Sequence, residues 1–155
     1  MSAASDDPRR PAGAAERGMH DQTRISDLCL AIDLAVELAA RASHSGERTI
    51  MGIVGPPGSG KSTVAQKIIQ ALGDDGVLVP MDGFHLAQEE LVRLGRRDRM
   101  GAPDTFDVTG FASLLGRLRR RDEDVVYAPR FDRSIELPIA GAIAIPRDVP
   151  LIITE

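Results

Sequence analysis

Apolar residues recur along this chain at helical and strand spacings in turn, and that alternation predicts a layered α/β domain. From 23 to 43 the stripe Ile25, Leu28, Cys29, Ile32, Ala35, Val36 and Ala39 has the three- and four-residue spacing of a helix, ended by His44-Ser45-Gly46. Thr49-Ile50-Met51-Gly52-Ile53-Val54 is a short, β-branched apolar run, the pattern of a buried strand. Thr63 to Leu72 returns to a helical period, with Val64, Ile68, Ala71 and Leu72 on one face and Gly73 as a stop. Gly76 to Met81 predicts a second buried strand, and Leu86 to Leu94 a short helix. Arg96 to Asp107 is a charged loop broken by Gly and Pro. Val108 to Arg120 is helical again, carrying Val108, Phe111, Leu114, Leu115 and Leu118 on one side. Asp124–Ala128 and Ile135–Ile145 predict two strands joined through Pro129–Ser134, a β-ribbon insertion. Pro150 to Thr154 is a third buried strand, and Glu155 follows it. Residues 1–22 offer almost no apolar anchor and predict a disordered tail, which leaves 23–155 as one domain.

Composition narrows the classes. The 155 residues carry a formal net charge of −4, which argues against a broad nucleic-acid-binding face. Arg117, Arg119, Arg120 and Arg121 are answered at once by Asp122, Glu123 and Asp124, as at a solvated helix end. No apolar stretch reaches the ~18–20 residues needed to cross a bilayer. The N-terminus has no signal-peptide pattern, so a cytoplasmic setting is expected. Cys29, a single cysteine, cannot form an internal disulfide, and its place on the apolar stripe predicts a buried thiol.

The chemistry is concentrated in Gly55-Pro56-Pro57-Gly58-Ser59-Gly60-Lys61-Ser62, which has the form G-x-x-x-x-G-K-[ST]. It lies between a predicted strand and a predicted helix, the context that such a loop requires. Its glycines let backbone N–H groups point inward, and together with the helix N-terminus through Thr63 they form an anion site. Lys61 would reach the β- and γ-phosphates of a nucleoside triphosphate, and the Ser62 hydroxyl would bind Mg²⁺. Lys61 and Lys67 are the only lysines among 19 basic residues, so a compact charge at Lys61 stands out against an arginine bias. Asp82 follows the second strand directly, at the strand end where open α/β sheets bind ligands. A turn-forming Asp before Gly83 is the plainer alternative.

Three further segments carry a resemblance. Met81-Asp82-Gly83-Phe84-His85, Gly101-Ala102-Pro103-Asp104-Thr105-Phe106-Asp107 and Tyr127-Ala128-Pro129-Arg130-Phe131-Asp132-Arg133 resemble, with the phosphate loop, the uridine kinase, phosphoribulokinase and bacterial pantothenate kinase group. The likeness runs from about Ile50 to Glu155 and is strongest to a small bacterial nucleoside/nucleotide kinase branch, some members of which are described as fructose-transport-linked kinases. It implies a P-loop NTPase-type three-layer α/β/α fold with a mostly parallel sheet and a small β-ribbon insertion. It implies transfer of the γ-phosphate of ATP, with Mg²⁺, to a hydroxyl of a small molecule: a nucleoside, pantothenate, a sugar or a glycerate-like acceptor. Asp82 would accept or orient the hydroxyl proton. Glu155 would hold Mg²⁺ in a Walker-B-like position. His85, Tyr127 and Arg133 would shape the acceptor pocket. Arg133 is the better candidate than Arg130 for an anion or hydroxyl clamp, and Asp132 lies in the same ribbon. Asp104 and Asp107 would contact substrate or cap the loop, two readings that stay open.

In that group a helix, an arginine-bearing lid and further strands follow the position of Glu155. None lies within these residues, so the expectation is the N-terminal two-thirds of such a domain, truncated at its C-terminus. The strand Ile50–Val54 would then present an apolar outer edge able to pair with another chain, as in a homodimer. The alternative to a kinase is a catalytically inactive nucleotide-binding remnant. A switch-type NTPase acting on a protein partner is disfavoured, because no N-K-x-D-like guanine-reading motif occurs.

Overall fold

The structure, a computed structural model, describes residues 28–155. The expected tail over 1–22, and the start of the leading helix with Ile25, lie outside the described residues. The elements run α1 (Leu28–Ser45), β1 (Thr49–Gly52), α2 (Lys61–Leu72), β2 (Gly76–Leu78), α3 (Gln88–Arg93), α4 (Val108–Arg120), β3 (Val125–Asp132), β4 (Leu137–Pro146) and β5 (Leu151–Thr154). Single 3₁₀ turns occupy Gly73–Asp75, Met81–Phe84, Arg97–Arg99 and Pro103–Thr105.

Three strands form a parallel sheet in the order β1-β5-β2, with Leu151 level with both Thr49 and Gly76. The central strand is covered on both faces, which is why its sequence is an unbroken apolar run. Leu151 and Ile153 pack on Ala35 and Ala39 of α1 and on Ala65 and Ile68 of α2. Ile152 packs the other way, with Leu114 and Leu118 of α4 and with Val126, Ala128 and Ile145 of an antiparallel β3–β4 ribbon. The fold is therefore the expected α/β layering: helices on one face, a parallel sheet, and a helix with a ribbon on the other.

Helix α4 begins and ends where its pattern predicted, and Asp107 caps it by accepting from the Gly110 N–H at 2.8 Å. The stripe of α1 holds in part: Ala35 and Ala39 are buried and Ile32 packs on the core, but the buried face is centred away from its larger members. Its buried face is Ala31, Ala35, Ala39 and Ala42, while Leu28, Leu30, Val36 and Cys29 are exposed. Small residues let the helix axis approach α2 and β5 closely, and that close approach outweighs the larger side chains as a burial signal. The expectation of a buried Cys29 thiol is corrected accordingly. On α2 the buried face is Ala65, Ile68 and Leu72, with Ala71 exposed. The ribbon is longer than expected. Strand β3 continues through Pro129 to Asp132, because a register shift against β4 between Ala128 and Arg130 accommodates a residue without an N–H.

Strand β1 pairs with β5 alone among the described residues. The Thr49 N–H donates to Pro150 O at 2.9 Å and the Ile53 N–H to Thr154 O at 2.8 Å. Alternate residues, Ile50 and Gly52, therefore turn their backbone groups away from β5.

Arg48, just ahead of β1, is only 4 % exposed. Its guanidinium donates to four carbonyl oxygens: Val149 at 2.8 Å, Leu118 at 3.0 Å, Pro146 at 2.6 Å and Arg147 at 2.9 Å. It thus ties the end of α4 and the β4–β5 connection to the base of the sheet. Burial holds its pKa below the ordinary arginine value, neighbouring Arg121 adds to that shift and Asp148 opposes it.

Candidate functional site

Parallel strands all end at the same edge of their sheet, so whatever follows each strand is gathered there. After β1 comes the glycine-rich loop, after β2 the Asp82 turn and after β5 Glu155. Hydrogen bonding continues past the end of β2: the Val79 N–H donates to Ile153 O at 2.8 Å and the Met81 N–H to Glu155 O at 3.0 Å. The pairing sets the turn that carries Asp82 beside the end of β5.

The loop has the backbone its glycines were expected to supply. Gly58 and Gly60 take φ of 76° and 84°, a region that penalises a Cβ. Gly60 precedes α2, and no side chain caps that helix. The Val64 N–H is the first to turn back, to Gly60 O at 3.0 Å, which leaves the N–H groups of Lys61, Ser62 and Thr63 without helical acceptors. A helix start of this kind suits an anion. The Lys61 ammonium donates to the carbonyls of Gly55 and Pro56, both at 3.1 Å, so it lies over the loop on its exposed side.

Asp82, His85 and Arg133 meet. The Arg133 guanidinium donates to Asp82 Oδ2 at 2.7 Å. His85 Nδ1 donates to the Asp82 carbonyl at 2.9 Å, which makes Nε2 the acceptor in the neutral ring. The His85 side chain is 9 % exposed, against 42 % for Asp82 and 74 % for Arg133. Its ring lies between Phe106, centroids 4.0 Å apart, and Phe131, 5.0 Å apart, and the Arg133 guanidinium sits 5.6 Å from the Phe131 centroid. The two phenylalanines against His85 were not singled out from sequence, since Phe106 stands alone in a loop and Phe131 falls beyond Pro129, where the predicted strand ended.

A close approach seats the ribbon on this turn. A Cβ on Gly83 would fall 2.5 Å from Pro129 O and 2.7 Å from Pro129 C. Gly83→Ala therefore has to push the ribbon off the Asp82 turn. We expect a loss of about 1–3 kcal/mol in denaturant unfolding, the cost of overpacking; an unchanged midpoint would show that the contact is not formed.

The remaining predicted residues fall elsewhere. Tyr127 is exposed, and no hydrogen bond or ring contact among the described residues joins it to the Asp82 group. Asp132 accepts from the N–H and hydroxyl of Ser134, which hold its carboxyl below the usual carboxylate range. Asp107 is the cap of α4, and Asp104 pairs with Arg96 and Arg99. Capping is thus observed for Asp107, whereas Asp104 ties its loop together by ion pairs. Arg117 and Arg120 pair with Glu123 and Asp122, and Arg121 donates to Arg147 O, Gly46 O and Asp148 O. A groove of about 650 Å³ opens beside these arginines, near Arg48 at the opposite end of β1. It lies away from the strand ends that carry the chemistry.

Two polar atoms at the site are buried without partners: Glu155 Oε2 and the Thr154 hydroxyl. Thr154 was missed, although a hydroxyl just before a strand-terminal acid was a legible hint. Orphaned oxygens at this position fit a hard cation such as Mg²⁺. Among the described residues no cluster of three or more His, Cys, Asp or Glu could hold a metal by itself.

No protein-family model matches the chain. A candidate uridine kinase of Schizosaccharomyces pombe is 36% identical over 108 residues, covering 64% of this chain and 46% of that protein. A pantothenate kinase of Streptomyces avermitilis is 30% identical over 124 residues, covering 76% of this chain and 37% of that protein. The crystal structure of a candidate fructose transport system kinase from Silicibacter sp. TM1040 superposes with a TM-score of 0.68 at 34% identity, covering 81% of this chain and 62% of that chain. The chain spans about half the length, or less, of the curated relatives it matches.

Proposed function

From its place in the uridine kinase and pantothenate kinase group of P-loop kinases, we propose that this chain binds ATP and transfers its γ-phosphate to a hydroxyl of a small molecule. The observation that carries the reading is the β2–β5 pairing. Through the Met81-to-Glu155 hydrogen bond it sets the turn that carries the half-exposed Asp82 carboxylate at the strand ends from which the phosphate loop also springs. Phosphoryl transfer asks little covalent chemistry of a protein. It asks for positioning, charge neutralisation and a carboxylate at the attacking hydroxyl.

Gly55, Pro56, Pro57, Gly58, Ser59 and Gly60 would wrap the phosphates, with the N–H groups of Lys61, Ser62 and Thr63 directed at them. Lys61 would leave its carbonyl partners for the β- and γ-phosphates. Ser62 and Glu155 would hold Mg²⁺, with Thr154 supporting. When bound, the ion neutralises charge on the triphosphate. Asp82 would accept the proton of the acceptor hydroxyl as its oxygen bonds to the γ-phosphorus and the bond to the β-phosphate oxygen breaks, releasing ADP. His85 Nε2 would accept a hydrogen bond from a second substrate hydroxyl, and Tyr127 would contribute only at the pocket rim. Nucleic acid and membrane have no place in this reading, and no described helix is long and apolar enough to cross a membrane.

A second reading is nucleotide binding without transfer by these residues alone. It is favoured by β1, a strand at the heart of the site that has one hydrogen-bonded neighbour among the described residues. Asp82→Asn separates the two. If transfer occurs, the substitution lowers it by about 10²–10⁴-fold and leaves Mg·ATP affinity within a factor of two. Mg·ATP binding with no phosphorylated product from any hydroxyl acceptor, in wild type as in the variant, would favour the second reading.

A further inference from the structure

Five arginines and one glutamate line the groove at the far end of β1 from the phosphate loop: Arg41, Arg48, Arg119, Arg120, Arg121 and Glu47. The chain as a whole carries a net charge of −4, so this gathering of cations is local. Backbone carbonyls fix two of them. Arg48 commits four N–H groups to carbonyls, and Arg121 donates to those of Arg147 and Gly46, both at 2.8 Å, and of Asp148 at 3.2 Å. A guanidinium has five N–H groups, so Arg121 keeps two uncommitted. Neither arginine pairs with a carboxylate among the described residues. Burial first, and then the charge of Arg121, hold Arg48 below the ordinary arginine value, with Asp148 opposing, so the two cations lie close together.

Those carbonyls account for Arg48 and Arg121 and leave the other arginines unexplained. Arg119 makes no hydrogen bond or ion pair among the described residues. Arg41 holds Glu37 and Arg120 holds Asp122, in pairs whose four side chains are all more than half exposed. Such pairs are weak and exchange partners readily.

We propose that this groove is a second ligand site, taking a small organic molecule that bears a phosphate group, with the phosphate held by Arg121 and Arg119 above the buried charge of Arg48. A phosphate monoester carries nearly two charges and three terminal oxygens, so several guanidinia can donate to it at once. A carboxylate, with one charge and two oxygens, is satisfied by a single guanidinium fork. The groove's volume of about 650 Å³ is that of a small-molecule site rather than of a bare ion. Leu38, Ala42 and Ile50 supply an apolar wall for the organic body. Its lining shares no residue with the phosphate loop or the Asp82 turn, so the site stands independently of the transfer reading.

The test is an amide NMR titration of the labelled full chain, because residue-resolved shifts distinguish this groove from the phosphate loop, which also attracts anions. The probes are phenyl phosphate, inorganic phosphate and benzoate. The proteins are wild type, Lys61→Ala, and Arg119→Gln and Arg41→Gln, both changes at exposed side chains. Phenyl phosphate is expected to give saturable shifts at Gly46, Thr49, Ile50, Arg119, Arg120 and Arg121, in Lys61→Ala as in wild type. Inorganic phosphate and benzoate move the same amides with affinities about tenfold weaker or less. Arg119→Gln weakens phenyl phosphate by about tenfold, the loss of one charge-assisted hydrogen bond, and Arg41→Gln by about 3–10-fold. A solvated helix end with no ligand would show neither saturation nor a response to these variants. Shifts confined to residues 58–63, an affinity unchanged by both arginine variants, or inorganic phosphate or benzoate matching phenyl phosphate overturns the proposal.

Discussion

Replacing Lys61 with Ala weakens Mg·ATP binding by about 10–100-fold, the equivalent of losing one or two charge-assisted hydrogen bonds to phosphate. Where transfer is measurable, its rate falls by a further ~10²–10³, because the same ammonium would stabilise charge as the γ-phosphate moves. The protein itself stays folded. Lys61 holds only the carbonyls of Gly55 and Pro56, on the exposed side of the loop, and substitutions of that kind change stability by about 0.5 kcal/mol or less. Calorimetry and denaturant unfolding on one preparation separate the two effects. Undiminished binding in Lys61→Ala would mean that the loop does not serve the triphosphate.

The opposite profile is expected at Arg48. Arg48→Met deletes four hydrogen bonds from a buried, charged donor and leaves the carbonyls of Val149, Leu118, Pro146 and Arg147 facing an apolar chain. Orphaned buried carbonyls and lost charge-assisted bonds together cost about 3–5 kcal/mol, a large part of the ~5–15 kcal/mol by which a domain is stable. In urea this moves the unfolding midpoint down by about 2 M, or leaves the protein unfolded as purified. A shift below ~0.5 M would show that Arg48 does not tie α4 and the β4–β5 connection to the sheet. The phosphate loop lies at the other end of β1. Any Arg48→Met protein that does fold should therefore bind Mg·ATP normally.

These two residues mark what was legible. Lys61 belongs to a motif whose chemistry is local: strand, loop and helix follow one another, so eight consecutive letters carry the site. Arg48 acts through partners about 70 to 100 positions away, and its place before a strand carries no signal of burial. The same contrast runs through the fold. Helix α4 was legible to the residue because its apolar period and its Asp107 cap agree. The face of α1 was legible only in part: Ile32, Ala35 and Ala39 were placed correctly, but alanines carry little hydrophobic weight, so Ala31 and Ala42 were left out and the exposed Val36 and Cys29 were included. Strand β3 was ended too soon at Pro129, where the lost N–H coincides with a register shift. Asp82 was placed by its position after a strand. Arg133 was named from its segment, but its ion pair with Asp82 and the aromatic flanks of His85 became visible only once the ribbon was seated on Gly83. Asp104 and Asp107 had two readings from sequence; Asp107 caps α4, and Asp104 pairs with Arg96 and Arg99.

The most direct measurement is the amide NMR spectrum of the isotopically labelled chain, titrated with Mg²⁺ and a non-hydrolysable ATP analogue. The account predicts saturable shifts at Gly55 and Gly58–Thr63, together with Thr154 and Glu155 at the end of the strand that lies beside the loop. Adding a hydroxyl-bearing acceptor should extend them to Asp82, His85 and Arg133. Shifts confined to the arginine-lined groove near Arg48, or no saturable change at the loop, would contradict it.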